Sequence, residues 1–96
     1  MDMLAIIQKK LQQIKPNLVS KYHVSSIGLF GSVVRNDFTN ESDIDVVVDF
    51  SEPIGIEFID LANELEAIFN RKVDLVSKNG IKRTYMQLIE SEIIYV

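Results

Sequence analysis

The run from Ile44 to Phe50 constrains the fold more than any other part of the sequence, because its side chains alternate as they do along a β-strand. Apolar residues fall on one face of this strand and mainly acidic residues on the other; these are Ile44, Val46, Val48 and Phe50, and Asp43, Asp45, Val47 and Asp49, respectively. We therefore predict a strand with one face on a hydrophobic core and an acidic face that is available for chemistry.

Helices and strands alternate along the rest of the chain. Before this strand, the pattern predicts a helix from Asp2 to Ile14 that Pro16 ends, a strand from Val24 to Phe30, a brief helix from Ser32 to Asn36 and a polar loop from Asp37 to Ser42. After it, the pattern predicts a helix that follows Gly55 and carries an apolar stripe from Phe58 to Phe69, a strand from Lys72 to Ser77, a helix from Lys82 to Ser91 that buries Tyr85, Leu88 and Ile89, and an edge strand from Ile93 to Val96. This alternation is typical of the α/β (α+β) class, with helices packed on one side of a small mixed β-sheet.

Length and composition narrow the possible functions. With 96 residues, we expect one domain spanning residues 1–96. The absence of cysteine excludes disulfide scaffolds, thiolate zinc sites and thiol catalysis. A net charge of −4 disfavours direct binding of nucleic acid. Because the chain shows neither a signal peptide nor an apolar run of about 20 residues, we expect no membrane association and a cytoplasmic location.

Three aspartates occupy positions in predicted strands that usually hold apolar or neutral residues. Asp43 and Asp45 are two residues apart, so their side chains leave the same face about two rises of 3.3 Å from each other. Asp74 interrupts the apolar run of a second strand and joins the cluster if the two strands are neighbours. Carboxylate oxygens without cysteine indicate a hard cation, Mg²⁺ or Mn²⁺. Asp74 either completes a two-metal site or takes a proton from an acceptor hydroxyl.

A glycine–serine pair, Gly31-Ser32, lies where a strand ends and a helix begins. Glycine lets backbone N–H groups approach a phosphate closely, and the serine hydroxyl adds a donor. These residues are therefore candidates for holding a triphosphate. Arg35 has two readings, because it can touch the nucleotide or anchor the loop by pairing with Asp37.

The segment from Gly31 to Val48, GSVVRNDFTNESDIDVVV, resembles a known family signature. Gly31-Ser32, ten residues and then Asp43-Ile44-Asp45 form the GS-x10-D-x-D pattern of the polymerase-β-like nucleotidyltransferase superfamily. The whole segment is similar to the minimal nucleotidyltransferase (MNT) family, matching it at Ser32, Arg35, Asp37, Ser42, Asp43 and Asp45, and Asp74 supplies the third aspartate. Asn36 stands where glycine is common, and we expect it to tolerate the left-handed conformation.

The resemblance implies a polymerase-β-like nucleotidyltransferase fold and a site to match. In this interpretation Asp43, Asp45 and Asp74 are catalytic residues and metal ligands for Mg²⁺ or Mn²⁺, and Gly31, Ser32 and Arg35 bind ATP. It further implies an antitoxin that transfers AMP to a hydroxyl, a tyrosine, of a partner HEPN ribonuclease toxin, with which it forms a hetero-oligomer.

Two other functions stay open at this point. The chain could be a non-catalytic antitoxin that occludes the toxin with the acidic helix face Glu57, Asp60, Glu64 and Glu66. It could also transfer a nucleotide to a small hydroxylated compound such as an aminoglycoside, although related enzymes use a second domain for that purpose.

Overall fold

A computed structural model describes residues 2–35 and 37–96. Four helices and four strands are present in these ranges. In chain order they are α1 (Met3–Tyr22), β1 (Val24–Phe30), α2 (Ser32–Arg35), β2 (Ile44–Phe50), α3 (Glu57–Phe69), β3 (Val73–Ser77), α4 (Arg83–Ile89) and β4 (Ile94–Tyr95). The predicted left-handed conformation of Asn36 lies outside the described residues.

The four strands form one mixed sheet in the order β3-β2-β1-β4. The strand pairs β1–β2 and β1–β4 are antiparallel, whereas β2 and β3 are parallel. The strand β4 lies at the edge of the sheet beside β1, which confirms the predicted edge strand. The parallel pair brings the beginnings of β2 and β3 to the same end of the sheet.

The two long helices cover the apolar face predicted for β2. Ile27 and Leu29 of β1 and Val46 and Val48 of β2 are fully buried in a core that α1 and α3 close, and Leu65 of α3 belongs to the same cluster. This arrangement of α1 and α3 confirms the predicted α/β (α+β) class, a small mixed sheet with helices packed on one side.

The short helix α4 lies on the other face of the sheet. Its Ile89 packs with Phe30 and Val47 in a second, smaller cluster. Val47 is fully buried although it belongs to the face that carries the aspartates. The middle of that face is therefore covered, and its end near the start of β2 is left for the acidic residues.

The prediction that Pro16 ends the first helix was wrong. Helix α1 continues through it to Tyr22, and His23 closes the helix in a left-handed conformation with its N–H on the carbonyl of Val19. Leu18 and Tyr22 are buried, so the apolar stripe resumes beyond the proline. Pro16 itself is exposed, and we attribute the continuity of the helix to this burial, which outweighs the one backbone hydrogen bond that a proline removes.

Two residues of α4 that were predicted to be buried are exposed. Ile89 is buried as expected, but Tyr85 is 45% exposed and Leu88 is 76% exposed. The helix has only seven residues and contacts the sheet along the side that carries Met86 and Ile89. At 100° per residue Leu88 points away from that side, and Tyr85 lies at its margin.

No helix within residues 2–35 and 37–96 combines the length and the apolar character that crossing a bilayer requires.

Candidate active site

Asp45 and Asp74 are opposite each other in the parallel pairing of β2 and β3. Paired residues of neighbouring strands project to the same face, so both carboxylates leave the sheet side by side. The register begins with the N–H of Ile44, which donates to the carbonyl oxygen of Lys72 at 3.0 Å. The structure therefore joins the two predicted strand aspartates, as the sequence analysis required.

Asp43 precedes β2 by one residue and acts on the same cluster. The pKa of Asp45 is raised to about 6, mainly by partial burial and then by the negative charges of Asp74 and Asp43. Arg35 opposes this shift, and Glu92 adds to it. The three predicted aspartates therefore share one electrostatic environment centred on Asp45.

Gly31 lies directly against Asp45. It is buried and has a φ of 77°, a left-handed conformation that favours glycine. A Cβ atom at this position would lie 2.9 Å from Cγ of Asp45 and would collide with the carboxylate oxygen Oδ2. The glycine of the Gly31-Ser32 corner thus permits the chain to turn immediately above the central aspartate. Ser32 follows as the first residue of α2 and is half-buried.

Glu92 is the residue of this site that the sequence analysis missed. Its Oε1 accepts a hydrogen bond from the backbone N–H of Gly31 at 3.0 Å and another from Nη1 of Arg35 at 3.3 Å. A carboxylate therefore occupies the donor that was predicted to meet a phosphate. A glutamate just before a short edge strand gives no signal of this contact, because its partner lies 61 residues away.

Arg35 is held between two acidic side chains. Besides Glu92, its Nε lies 4.0 Å from Oδ2 of Asp37. These contacts correspond to the loop-anchoring reading of Arg35, while its guanidinium group remains about half exposed beside the Gly31 corner.

The side chains of the site offer the oxygen ligands that a hard cation prefers, but they are not positioned around a common point. Within residues 2–35 and 37–96, no three His, Cys, Asp or Glu side chains are grouped so that they could hold a metal ion as they stand. Asp43, Asp45 and Asp74 nevertheless offer only oxygen ligands, and their mutual repulsion is what a bound cation relieves. The chemistry of these donors therefore fits Mg²⁺ or Mn²⁺.

The fold and the site agree with a family-model match over residues 12–96, described as polymerase beta, nucleotidyltransferase. The chain belongs to the polymerase-β-like nucleotidyltransferase family. Sequence relatives of this nucleotidyltransferase include MJ0126 of Methanocaldococcus jannaschii, provisionally named a protein adenylyltransferase, which is 42% identical over the full length of both chains. Protein adenylyltransferase MntA of Thermococcus cleftensis is 38% identical over 94% of this chain and 92% of its own length.

Solved structures show the same nucleotidyltransferase fold. One, provisionally described as a minimal nucleotidyltransferase, has a TM-score of 0.81 and 26% identity, covering 98% of this chain and 95% of its own. Another is a variant of a toxin–antitoxin complex that contains MntA, with a TM-score of 0.69 and 25% identity over 96% of this chain and 69% of the other. The resemblance drawn from the Gly31 to Val48 segment is therefore confirmed at the level of family and fold.

Proposed function

We propose that this nucleotidyltransferase transfers AMP from ATP to a hydroxyl group of a partner protein, in a reaction that depends on Mg²⁺ or Mn²⁺. The observation that carries the proposal is the placement of Asp45 beside Asp74 and beneath the Gly31 corner. The names of the sequence relatives, protein adenylyltransferases, support AMP as the transferred group and a protein as the acceptor.

Asp43, Asp45 and Asp74 would hold the cation. When bound, a divalent cation neutralises phosphate charge and stabilises the charge that develops during transfer. The raised pKa of Asp45 supports this assignment, because burial and the neighbouring charges of Asp74 and Asp43 both disfavour its anion, and a positive charge among the three carboxylates relieves that cost.

The residues of the Gly31 corner would hold the triphosphate. Gly31 and Ser32 offer backbone N–H groups and a hydroxyl, and Arg35 offers a positive charge at the same corner. Because Glu92 accepts the Gly31 N–H in the structure, nucleotide binding at this donor requires the Glu92 side chain to turn away. Glu92 is thus placed to compete with the nucleotide for one donor.

In the transfer step, the acceptor oxygen forms a bond to the α-phosphorus while the bond to pyrophosphate breaks. The hydroxyl proton needs a base, and Asp74 is the best placed of the three aspartates because it is exposed at the edge strand β3. Asp45 is less accessible, since it is partly buried beneath Gly31.

For the acceptor we propose a tyrosine of a HEPN ribonuclease toxin, with this chain as the antitoxin in a complex with it. The MntA-containing toxin–antitoxin complex that shares the fold supports this assignment, together with the MNT resemblance. A reaction that consumes ATP and a chain without cysteine fit a cytoplasmic location.

No observation favours the alternative of occlusion by the acidic face of α3. Within that face, Glu64 accepts hydrogen bonds from Lys21 and Tyr22 at 2.8 Å, and Glu66 accepts the N–H of Val73 at 3.0 Å. Glu57 accepts the N–H of Gly55 at 2.7 Å, so three of its four carboxylates are engaged within the chain. What remains is a weak patch for attracting a basic partner.

The test is to incubate the protein with ATP, Mg²⁺ and the HEPN partner and to measure the mass of that partner. The proposal expects a mass increase of one or more AMP units with wild type and with Asp49→Asn, and none with Asp43→Asn/Asp45→Asn. Asp49 is a matched control because it lies on β2 and belongs to the same face as Asp45. If the protein neutralised the partner toxin without adding mass to it, occlusion would replace AMP transfer as the proposed function.

A further inference from the structure

We infer that Arg71 is a positioning residue that ties the loop before β2 to the start of β3, and thereby holds Asp43 and Asp74 in register. The inference rests on the proposed function, because it concerns how the acidic cluster of that function is assembled. Arg71 lies in the connection between α3 and β3, three residues before Asp74.

One nitrogen of Arg71 donates hydrogen bonds to three carbonyl groups of the loop before β2. Its Nη1 donates to the carbonyl oxygens of Thr39 at 3.1 Å, Asn40 at 3.2 Å and Ser42 at 3.0 Å. The carbonyl group of Ser42 belongs to the peptide bond that leads into Asp43. The guanidinium group therefore acts on the backbone next to a proposed metal ligand.

An aromatic ring in the same loop makes a further contact with this guanidinium group. The Cζ of Arg71 lies 4.6 Å from the centre of the Phe38 ring, a cation–π geometry. Among the described residues, the guanidinium group of Arg71 makes no salt bridge to a carboxylate. Its positive charge is directed at the loop rather than at an acidic side chain, as a clamp on that loop requires.

The chain around Arg71 is itself fixed to the sheet. The N–H of Arg71 donates to the carbonyl oxygen of Glu66 at 3.3 Å, and the carboxylate of Glu66 accepts the N–H of Val73 at 3.0 Å. Between them, the carbonyl oxygen of Lys72 accepts the N–H of Ile44 at 3.0 Å. The backbone around Arg71 is therefore held by hydrogen bonds to α3 and β2. From this fixed position, the Arg71 side chain links the beginnings of the two strands that carry the aspartates.

A positioning role for Arg71 and a purely structural role predict different effects on metal affinity. A contact that only stabilises the fold changes the melting temperature and leaves metal affinity alone. A positioning contact also changes metal affinity, because loss of the carbonyl clamp lets the Asp43 loop move relative to Asp74. Substitution of residues that orient metal ligands lowers metal affinity about tenfold or more in other sites.

The experiment measures binding of Mn²⁺ alone by electron paramagnetic resonance for wild type, Arg71→Met, Arg71→Lys and Lys21→Met. Lys21→Met is the matched control, because it removes a surface contact between α1 and α3, at 2.8 Å from Glu64, that involves neither the loop nor the proposed site. Amide hydrogen exchange of Ser42, Asp43 and Ile44 is followed in the same samples.

We expect Arg71→Met to raise the dissociation constant for Mn²⁺ about tenfold and to speed exchange at the three amides. Arg71→Lys falls between Arg71→Met and wild type, because lysine keeps the charge but loses the planar fork. If Arg71→Met does not fold, Arg71→Lys carries the same comparison. Lys21→Met changes neither quantity.

Unchanged Mn²⁺ binding and loop exchange in both Arg71 variants, alongside a wild type that binds Mn²⁺, overturn the inference and leave the proposed function standing. A wild type that binds no Mn²⁺ and transfers no AMP overturns the proposed function, and the positioning role falls with it. The two failures are therefore distinguishable.

Discussion

The carboxylate of Glu92 accepts a hydrogen bond from the backbone N–H of Gly31 at 3.0 Å, at the corner of the site where the nucleotide phosphates are proposed to bind. The same carboxylate contacts Nη1 of Arg35 at 3.3 Å. An acidic side chain thus holds two groups that otherwise attract phosphate. We expect this contact to lower the affinity of the site for ATP.

Glu92→Gln is expected to bind ATP with Mg²⁺ about fivefold more tightly than wild type. Glutamine keeps an acceptor for the Gly31 N–H but removes a negative charge, and two charges about 4 Å apart in water repel by about 1 kcal/mol. Calorimetric titration measures the change. Glu90→Gln, at an exposed position two residues away, is the control and should match wild type. Weaker binding by Glu92→Gln would show that the charge supports the site instead.

Gly31→Ala is expected to abolish AMP transfer while the protein still folds. A methyl group at this position collides with the Asp45 carboxylate, and alanine at a φ of 77° costs about 1–2 kcal/mol. Gly55→Ala provides the control, because a Cβ there meets only Oε2 of Glu57 at 3.8 Å. Transfer rates and circular dichroism of the two variants are compared. Wild-type activity in Gly31→Ala would mean that Asp45 and the corner act independently.

Asp45→Asn is expected to stabilise the metal-free protein near neutral pH and not in acid. The folded state raises the pKa of Asp45 from 3.8 to about 6, so the folded protein binds this proton more tightly than the unfolded chain. The resulting stability is complete below about pH 4 and is lost as the pH rises through about 6. Asparagine, which cannot ionise, avoids that loss.

Melting temperatures at about pH 4 and about pH 7.5, with chelator present, check this expectation. Asp45→Asn should melt above wild type only at the higher pH. Asp49→Asn, which removes a charge from the same strand and keeps the acceptor for the Phe50 N–H at 3.0 Å, is the matched control. Equal melting temperatures of Asp45→Asn and wild type at both pH values would argue against a raised pKa of Asp45 from burial and from the neighbouring aspartates.

Leu18→Ala is expected to destabilise the protein by about 2–5 kcal/mol, the range for a fully buried leucine. The reason is that α1 continues beyond Pro16 and buries this side chain in the main core. Denaturant unfolding measures the free energy. Val19→Ala, on the same turn but 42% exposed, should cost far less. Similar costs for the two variants would mean that the helix ends near the proline.

The strands were predictable from the sequence because local pattern decides them. The ranges of β1 and β2 match the prediction, whereas the pairing of Asp45 with Asp74 also depends on the register of the parallel strands β2 and β3. The end of α1 was not predictable from Pro16, since the burial of Leu18 depends on the rest of the core.

The contacts that complete the site could not be predicted, because they join distant parts of the chain. The hydrogen bond from Arg71 to the carbonyl oxygen of Ser42 spans 29 residues, and that between Gly31 and Glu92 spans 61. Neither Arg71 nor Glu92 belongs to the GS-x10-D-x-D pattern. Their roles depend on the connections at the ends of β2, β3 and α4, where no periodicity indicates which groups meet.

The proposed function depends most on whether Asp45 and Asp74, beneath the Gly31 corner, bind a triphosphate together with a divalent cation. Isothermal titration calorimetry of ATP with Mg²⁺ into wild type and into Asp45→Asn/Asp74→Asn measures this binding directly. We predict heat of binding at a single class of sites for wild type, and none for the double variant or for wild type in excess EDTA. Equal binding of ATP by all three samples would contradict the proposed site.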